Sequence, residues 1–209
     1  MGPCGNATSA VPGSGAPIEI AAISGSLRTA SWARALLRAA AAHSPPGVAL
    51  TIWGGLGDVP LFDEDLESGP APAAVADMRA LIERSDAVLV VTPEYNQSIP
   101  GVLKNALDWA SRPYGQTVFK DKPVAVVGTS PLPSGGASAL ADVAKVLTLI
   151  GADVVDADLA VSSVHTHVDA EGRIADPELA DRMGAMLVRV ATRARLSSLA
   201  AVPMGGTTV

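Results

Sequence analysis

At 209 residues the chain has room for one domain with a sizeable core, but not for two ordinary domains and a linker. A net charge of −6, from 15 Lys and Arg against 21 Asp and Glu, excludes a general nucleic-acid surface, and an aromatic content of 3% excludes a stacking platform for bases. The apolar runs are all far shorter than a membrane span, and the single cysteine, Cys4, can form neither an internal disulfide nor a CxxC redox pair.

Residues 1–17, MGPCGNATSAVPGSGAP, have neither the basic start nor the apolar core of a signal peptide. They are expected to form a mobile tail, and the protein is expected to stay in the cytoplasm. Asn6-Ala7-Thr8 spells a glycosylation acceptor that has no meaning without secretion. Beyond the tail, apolar β-rich segments alternate with Ala- and Leu-rich segments of helical spacing. Strands are predicted at 18–23, 48–52, 87–92, 124–128 and 154–161, and helices at 31–42, 72–84, 100–110, 136–150 and 177–195. Several helices open on a proline, where a first-turn N–H has no partner to lose. This βαβα rhythm predicts one doubly wound α/β domain over 18–196, with a five-stranded parallel sheet in the order 2-1-3-4-5 and helices on both faces. The stretches 53–71 and 130–135 read as surface loops, the first long enough to be functional or simply mobile, and 197–209 reads as a frayed end.

In a sheet of that order, ligands bind at the carboxyl edge where strands 1 and 3 are neighbours and their following helices leave to opposite faces. Two loops meet that condition, SGSLRTAS at 24–31 and TPEYNQS at 92–98. The first suits a terminal phosphate. Gly25 allows a close turn, Ser26 and Ser31 bring hydroxyls, Arg28 brings a planar fork, and the following helix offers unpaired N–H groups. It is neither the GxxxxGK[ST] of a P-loop nor the GxGxxG of a dinucleotide site, and a Ser/Gly turn capping a helix with Arg28 in solvent accounts for it as well. In the second loop Glu94, Tyr95 and Asn96 can flank a flat heterocycle, and a third loop, TSPLPSGG at 129–136, can reach the far edge of the same ring. Lys104 and Asp108 read as an ordinary i,i+4 pair, with Leu103, Leu107 and Trp109 as core.

The segments GSLRTAS and PEYNQSIPGVLKNALDWASRP, at this spacing, resemble the NAD(P)H-dependent FMN reductases of the flavodoxin-like fold, which include quinone, azo-dye and chromate reductases. The resemblance covers about Ile18 to Ile150, and the second segment is far more specific than the first. It implies FMN as cofactor and NADPH or NADH as co-substrate. The loop from Ser24 would hold the FMN phosphate through Ser26, Arg28 and Ser31, with Leu27 and Trp32 contributing main chain. Pro93, Glu94, Tyr95 and Asn96 would line the isoalloxazine, and the loop carrying Ser130, Gly135 and Gly136 would approach its pyrimidine end. A homodimer or homotetramer is implied, as is a small-molecule electron acceptor reduced in a ping-pong cycle. Because the hydride chemistry belongs to the two cofactors, no side-chain acid, base or nucleophile is expected, and no metal. One departure is Ala33, where the family commonly carries Asn, which puts the support of the helix start in doubt.

Other functions remain open on sequence alone. A flavodoxin-type electron carrier would share the fold, and a pathway-dedicated flavin or quinone reductase would share the motifs. His165 and His167, read as alternating to one face of an extended segment near Asp169, could contribute to a metal site but are more often a solvated edge. His43 reads as a helix C-terminal partner. Arg112 could take the 2′-phosphate of NADPH or close a helix end.

Overall fold

The structure, a computed structural model, describes residues 16–169 and 172–201. Cys4, the 6–8 acceptor, most of the expected N-terminal tail and residues 202–209 lie outside the described residues. In chain order the elements are β1 (Ile18–Ser24), α1 (Trp32–Ala42), β2 (Val48–Trp53), a 3-10 turn (Gly55–Asp58), α2 (Glu64–Glu67) and α3 (Ala73–Arg84). There follow β3 (Ala87–Pro93), α4 (Gly101–Ala110), β4 (Pro123–Thr129), α5 (Ala137–Leu149), β5 (Asp153–Val161), α6 (Val164–His167) and α7 (Pro177–Ala201). All strand pairs are parallel and the order is β2-β1-β3-β4-β5, the flavodoxin-like arrangement expected from the sequence.

The strand sequences explain the layers. IEIAAIS, AVLVVTP and PVAVVGT are apolar almost without a break, so β1, β3 and β4 can be covered on both faces. Alternation along each strand then divides the core in two. Ile20, Ala22, Leu89, Val91, Ala125 and Val127 pack under α1 and α7, whereas Ala21, Ile23, Val88, Val90, Val124 and Val126 pack under α3, α4 and α5. The change of face between α1 and α4, the helices that follow β1 and β3, opens the crevice above the carboxyl ends of those strands.

Two expectations are corrected. Helix α7 runs to Ala201, through residues expected to be frayed. Ala and Leu propagate a helix that Met186, Leu187, Val190 and Ala194 have already fixed against the sheet, and Ser198 Oγ donates back to the Ala194 carbonyl at 3.1 Å. The segment with His165 and His167 is not extended: it forms the single turn α6, and His167 Nδ1 lies 2.7 Å from the Asp176 carboxylate at the start of α7. His43 caps α1, its ring nitrogen 2.9 Å from the Ala39 carbonyl.

Helix α4 pins the long 53–71 connection. Asn105 Nδ2 and Trp109 Nε1, one turn apart, both donate to the Pro60 carbonyl, at 2.8 and 2.9 Å, and Asn105 Oδ1 accepts from Phe62 N–H at 2.8 Å. Phe62 closes the contact by standing edge-on to Trp109, with ring centroids 5.0 Å apart. The loop is therefore fixed at its centre. Asn105→Ala is expected to lower stability by about 1–2 kcal/mol in urea unfolding and to speed proteolysis near Pro60, because it leaves the Phe62 N–H without its partner.

At the other edge, β5 carries acids where a strand edge needs protection. Arg189 clamps the buried Asp156 carboxylate, with Nε at 2.7 Å, and Arg193 Nε reaches Asp153 at 2.5 Å. Asp156 Oδ1 is buried without a donor so long as its neighbour Asp158 is ionised. Asp158, though exposed, hydrogen-bonds Asp156 only while it holds a proton, and that bond and the Asp156 charge, with a lesser desolvation, raise the Asp158 pKa. A raised carboxyl favours folding while protonated and loses that contribution as pH rises from about 3.9, the unfolded value, through its folded value. Asp158→Asn, which keeps a donor at every pH, should raise the melting temperature at pH 7, with the gain vanishing below about pH 4.

Candidate functional site

The first loop is held tightly at its root. Gly25 N–H donates to the Val91 carbonyl at 2.8 Å, continuing the β1–β3 pairing, and a Cβ on Gly25 would sit 2.7 Å from Thr92 Oγ1. Only glycine fits that approach. Serine hydroxyls then fold the loop on itself: Ser26 N–H donates to Ser24 Oγ, and Arg28 N–H to Ser26 Oγ, both at 3.3 Å. Ser31 precedes α1 in an extended conformation, yet its hydroxyl makes no capping bond, and the first turn of α1 carries no acid. The positive end of α1 is left without a negative group of its own. Arg28 stands exposed over this end, tethered by one bond from its guanidinium to the Ala30 carbonyl at 2.7 Å. Ala33 is buried in the same turn and supplies no cap, so the helix start lacks side-chain support.

The second loop is a small hairpin. Tyr95 and Ser98 exchange main-chain bonds at 3.1 Å in both directions, and Asn96 and Gln97 between them have φ of 51° and 60°. Two consecutive left-handed residues make the tight turn that suits a two-residue hairpin, and Asn tolerates the first position better than most residues. Ser98 Oγ anchors the hairpin to Asp142 of α5 at 2.7 Å. Glu94 sets its carboxylate on the start of α5, accepting from Ser138 N–H at 3.0 Å, Ala139 N–H at 3.4 Å and Ser134 Oγ at 3.3 Å. Helix α5 begins after Gly136, which has no side chain to cap it, so Glu94 caps it from another loop.

In the third loop Gly135 and Gly136, with φ of 62° and 79°, press their backbones into the sheet edge. A Cβ would meet Ser162 N at 2.9 Å from Gly135, and Thr129 N at 2.8 Å from Gly136. These contacts hold Thr129, Ser130 and Pro131 in place: Ser130 N–H donates to Val161 O at 3.1 Å and Ser130 O accepts from Val164 N–H at 3.2 Å.

A cavity of about 400 Å³ results, within the roughly 300–1,000 Å³ usual for small-molecule sites. Of the residues singled out from sequence, Ser26, Arg28, Ser31, Trp32, Pro93, Glu94, Tyr95 and Ser130 line it. Ser24 and Leu27 line an adjoining cavity of about 280 Å³, which Ser26 also borders. Asn96 sits at the hairpin tip, and Gly135 and Gly136 end the third loop; none of these three is in the lining. Thr129, Pro131 and Val164 line the cavity without having been singled out. The first two belong to the third loop, whereas Val164 comes from α6, a turn with no sequence signal. Lys104 and Asp108 form their i,i+4 pair at 2.7 Å, and Arg112 is held by Glu67 at 2.6 Å, a bond that raises its already high pKa. Among the described residues no three His, Cys, Asp or Glu are grouped to hold a metal ion.

A family model described as NADPH-dependent FMN reductase matches residues 18–166. The chain belongs to that family. It is 49% identical over 118 residues to a quinone reductase of Pseudomonas putida, a match that spans 56% of this chain and 63% of that relative's length. It is 39% identical over 160 residues to an NAD(P)H-dependent FMN reductase of Pseudomonas aeruginosa, across 76% and 85% of the two chains. Among solved structures it resembles FerB, a flavoenzyme NAD(P)H:(acceptor) oxidoreductase of Paracoccus denitrificans, with a TM-score of 0.75 and 34% identity over 85% and 97% of the chains.

For a member of the FMN reductase family the residues present fit the cofactor. The uncapped start of α1, the Ser26 and Ser31 hydroxyls and the Arg28 fork answer to a phosphate dianion at one end. At the other end Pro93, Tyr95 and Pro131 form flat, largely apolar walls. Glu94→Ala should leave the fold intact at a cost of about 1 kcal/mol, with hydrogen exchange at Ser138 and Ala139 accelerated, since those amides lose their acceptor.

Proposed function

We propose that the chain is an NAD(P)H-dependent, FMN-containing oxidoreductase that reduces a quinone, azo compound, free flavin or similar small acceptor in a ping-pong cycle. The observation that carries this reading is a single cavity at the β1/β3 switch point with an anion end at α1 and a flat end at the hairpin. When bound, FMN supplies the hydride chemistry, taking reducing equivalents from the nicotinamide and passing them on. The protein's own residues then bind and orient. Ser26, Ser31 and Arg28 hold the phosphate, and the main chain of Pro93–Tyr95 and Thr129–Pro131 borders the ring. Tyr95, half exposed, stands at the open side where donor and acceptor would stack in turn. Glu94 is engaged in capping α5, and the proposed hydride transfer asks for no side-chain acid or base.

No helix among the described residues is long and apolar enough to cross a membrane. We place the protein in the cytoplasm, with its nucleotide donors, and as a homodimer or homotetramer; exposed Tyr95 and Leu132 beside the cavity support a neighbouring subunit there.

The test is an anaerobic visible spectrum of the FMN-reconstituted protein before and after NADPH and then NADH. Bleaching by either nucleotide is expected. Flavin that stays oxidised until dithionite is added would instead indicate an electron carrier, and no bound flavin would reduce the first loop to a helix start. Arg28→Ala is expected to weaken FMN by about 1.5–3 kcal/mol, measured by titration of flavin fluorescence.

A further inference from the structure

The adjoining cavity of about 280 Å³ has no role in the reading so far. It lies on the β1–β2 side of the first loop, and Ser26 forms the wall between it and the larger cavity. Its lining brings together the nearly buried Ser24 and Ser26 hydroxyls, the Arg34 side chain from the first turn of α1, and the main chain of Gly54 and Gly57. Trp53 closes the floor with its indole N–H already donated to Asp77 at 2.9 Å. Arg34 is partly buried, and among the described residues no ion pair or hydrogen bond holds it. Asp58 is the one acid in this lining, and it sits on the exposed rim without a bond to Arg34.

We propose that this cavity is an anion subsite for the 2′-phosphate of NADPH, with Arg34 as the residue that prefers NADPH over NADH. The inference rests on the reductase reading and supplies its donor. A nicotinamide stacked over the ring end leaves the rest of the dinucleotide, with its phosphates, to cross the carboxyl edge of the sheet. On the β5 side that path meets a cavity lined by Asp176 and Glu178 along with Arg182 and His167, where carboxylates oppose a phosphate. Arg112 is closed to it by Glu67. Running back along the α1 side, the dinucleotide passes the anion end of the larger cavity and arrives beyond Ser26, where Arg34 and the Ser24 hydroxyl await a dianion. A guanidinium fork on a phosphate discriminates through charge-assisted bonds that NADH, bearing a 2′-hydroxyl, cannot make. The first turn of α1 adds its positive end to the same region.

The experiment compares steady-state kcat/KM for NADPH and NADH, with one quinone acceptor, in the FMN-loaded wild type, Arg34→Ala and Arg34→Lys. The NADPH-to-NADH ratio is expected to fall roughly tenfold or more in Arg34→Ala, and less in Arg34→Lys, which keeps the charge but not the fork. An unchanged ratio overturns the subsite while leaving the reductase reading intact. Wild-type protein reduced by neither nucleotide overturns both. Because Arg34→Ala could fold poorly, inhibition of wild-type NADH turnover provides a second measure: 2′-AMP should inhibit competitively at a concentration roughly tenfold lower than 5′-AMP. Equal inhibition by the two nucleotides would also overturn the proposal.

Discussion

Strands β1, β3 and β4 are covered by helices on both faces, and this double burial constrains everything else in the molecule. Apart from Glu19 near the start of β1, the polar side chains of these strands are Ser24, Thr92 and Thr129, each where its strand reaches its carboxyl end. The buried polar residues of these three strands are thereby gathered at the carboxyl edge of the sheet. The order 2-1-3-4-5 then sends α1 and α4 to opposite sides, so the edge opens into a crevice between β1 and β3.

The crevice walls are loops, but three ties make them rigid. Glu94 joins the second loop to the start of α5, Ser98 joins the same hairpin to Asp142, and the paired glycines lock the third loop against the ends of β4 and β5. Each tie joins a loop to a regular element or its end. The walls are therefore set before any ligand arrives, which lowers the ordering cost of binding. Serine residues at the first loop are spent differently. Ser24 and Ser26 fold the loop, whereas Ser31 withholds its hydroxyl from the helix it precedes, leaving donors for an anion.

Away from the site, the long PEYNQSIPGVLKNALDW segment does structural work as well. Asn105 and Trp109 face the 53–71 connection and not the larger cavity, so two residues of the most specific motif in the chain secure a loop that borders the adjoining cavity. The Arg112–Glu67 pair, stacked near Phe62, closes the other end of that connection. A motif recognised for cofactor binding thus also fixes the surface beside it.

What the sequence by itself determined was whatever depends on local pattern. Continuous apolar runs marked the buried strands, helical spacing marked α1, α3, α4 and α5, and the order of elements located the switch point, with eight of the thirteen residues singled out now lining the cavity. Only the tertiary structure showed which of these groups also serve the fold. Glu94, in the cavity wall, also caps α5, Gly135 and Gly136 also press against the ends of β4 and β5, and Asn96 also turns a hairpin. Val164 and Arg34 carry no local signal, because their place at a cavity is created by elements far away in the chain. Periodicity reports which face of an element is buried; what meets that face is set by long-range packing, which no local window contains.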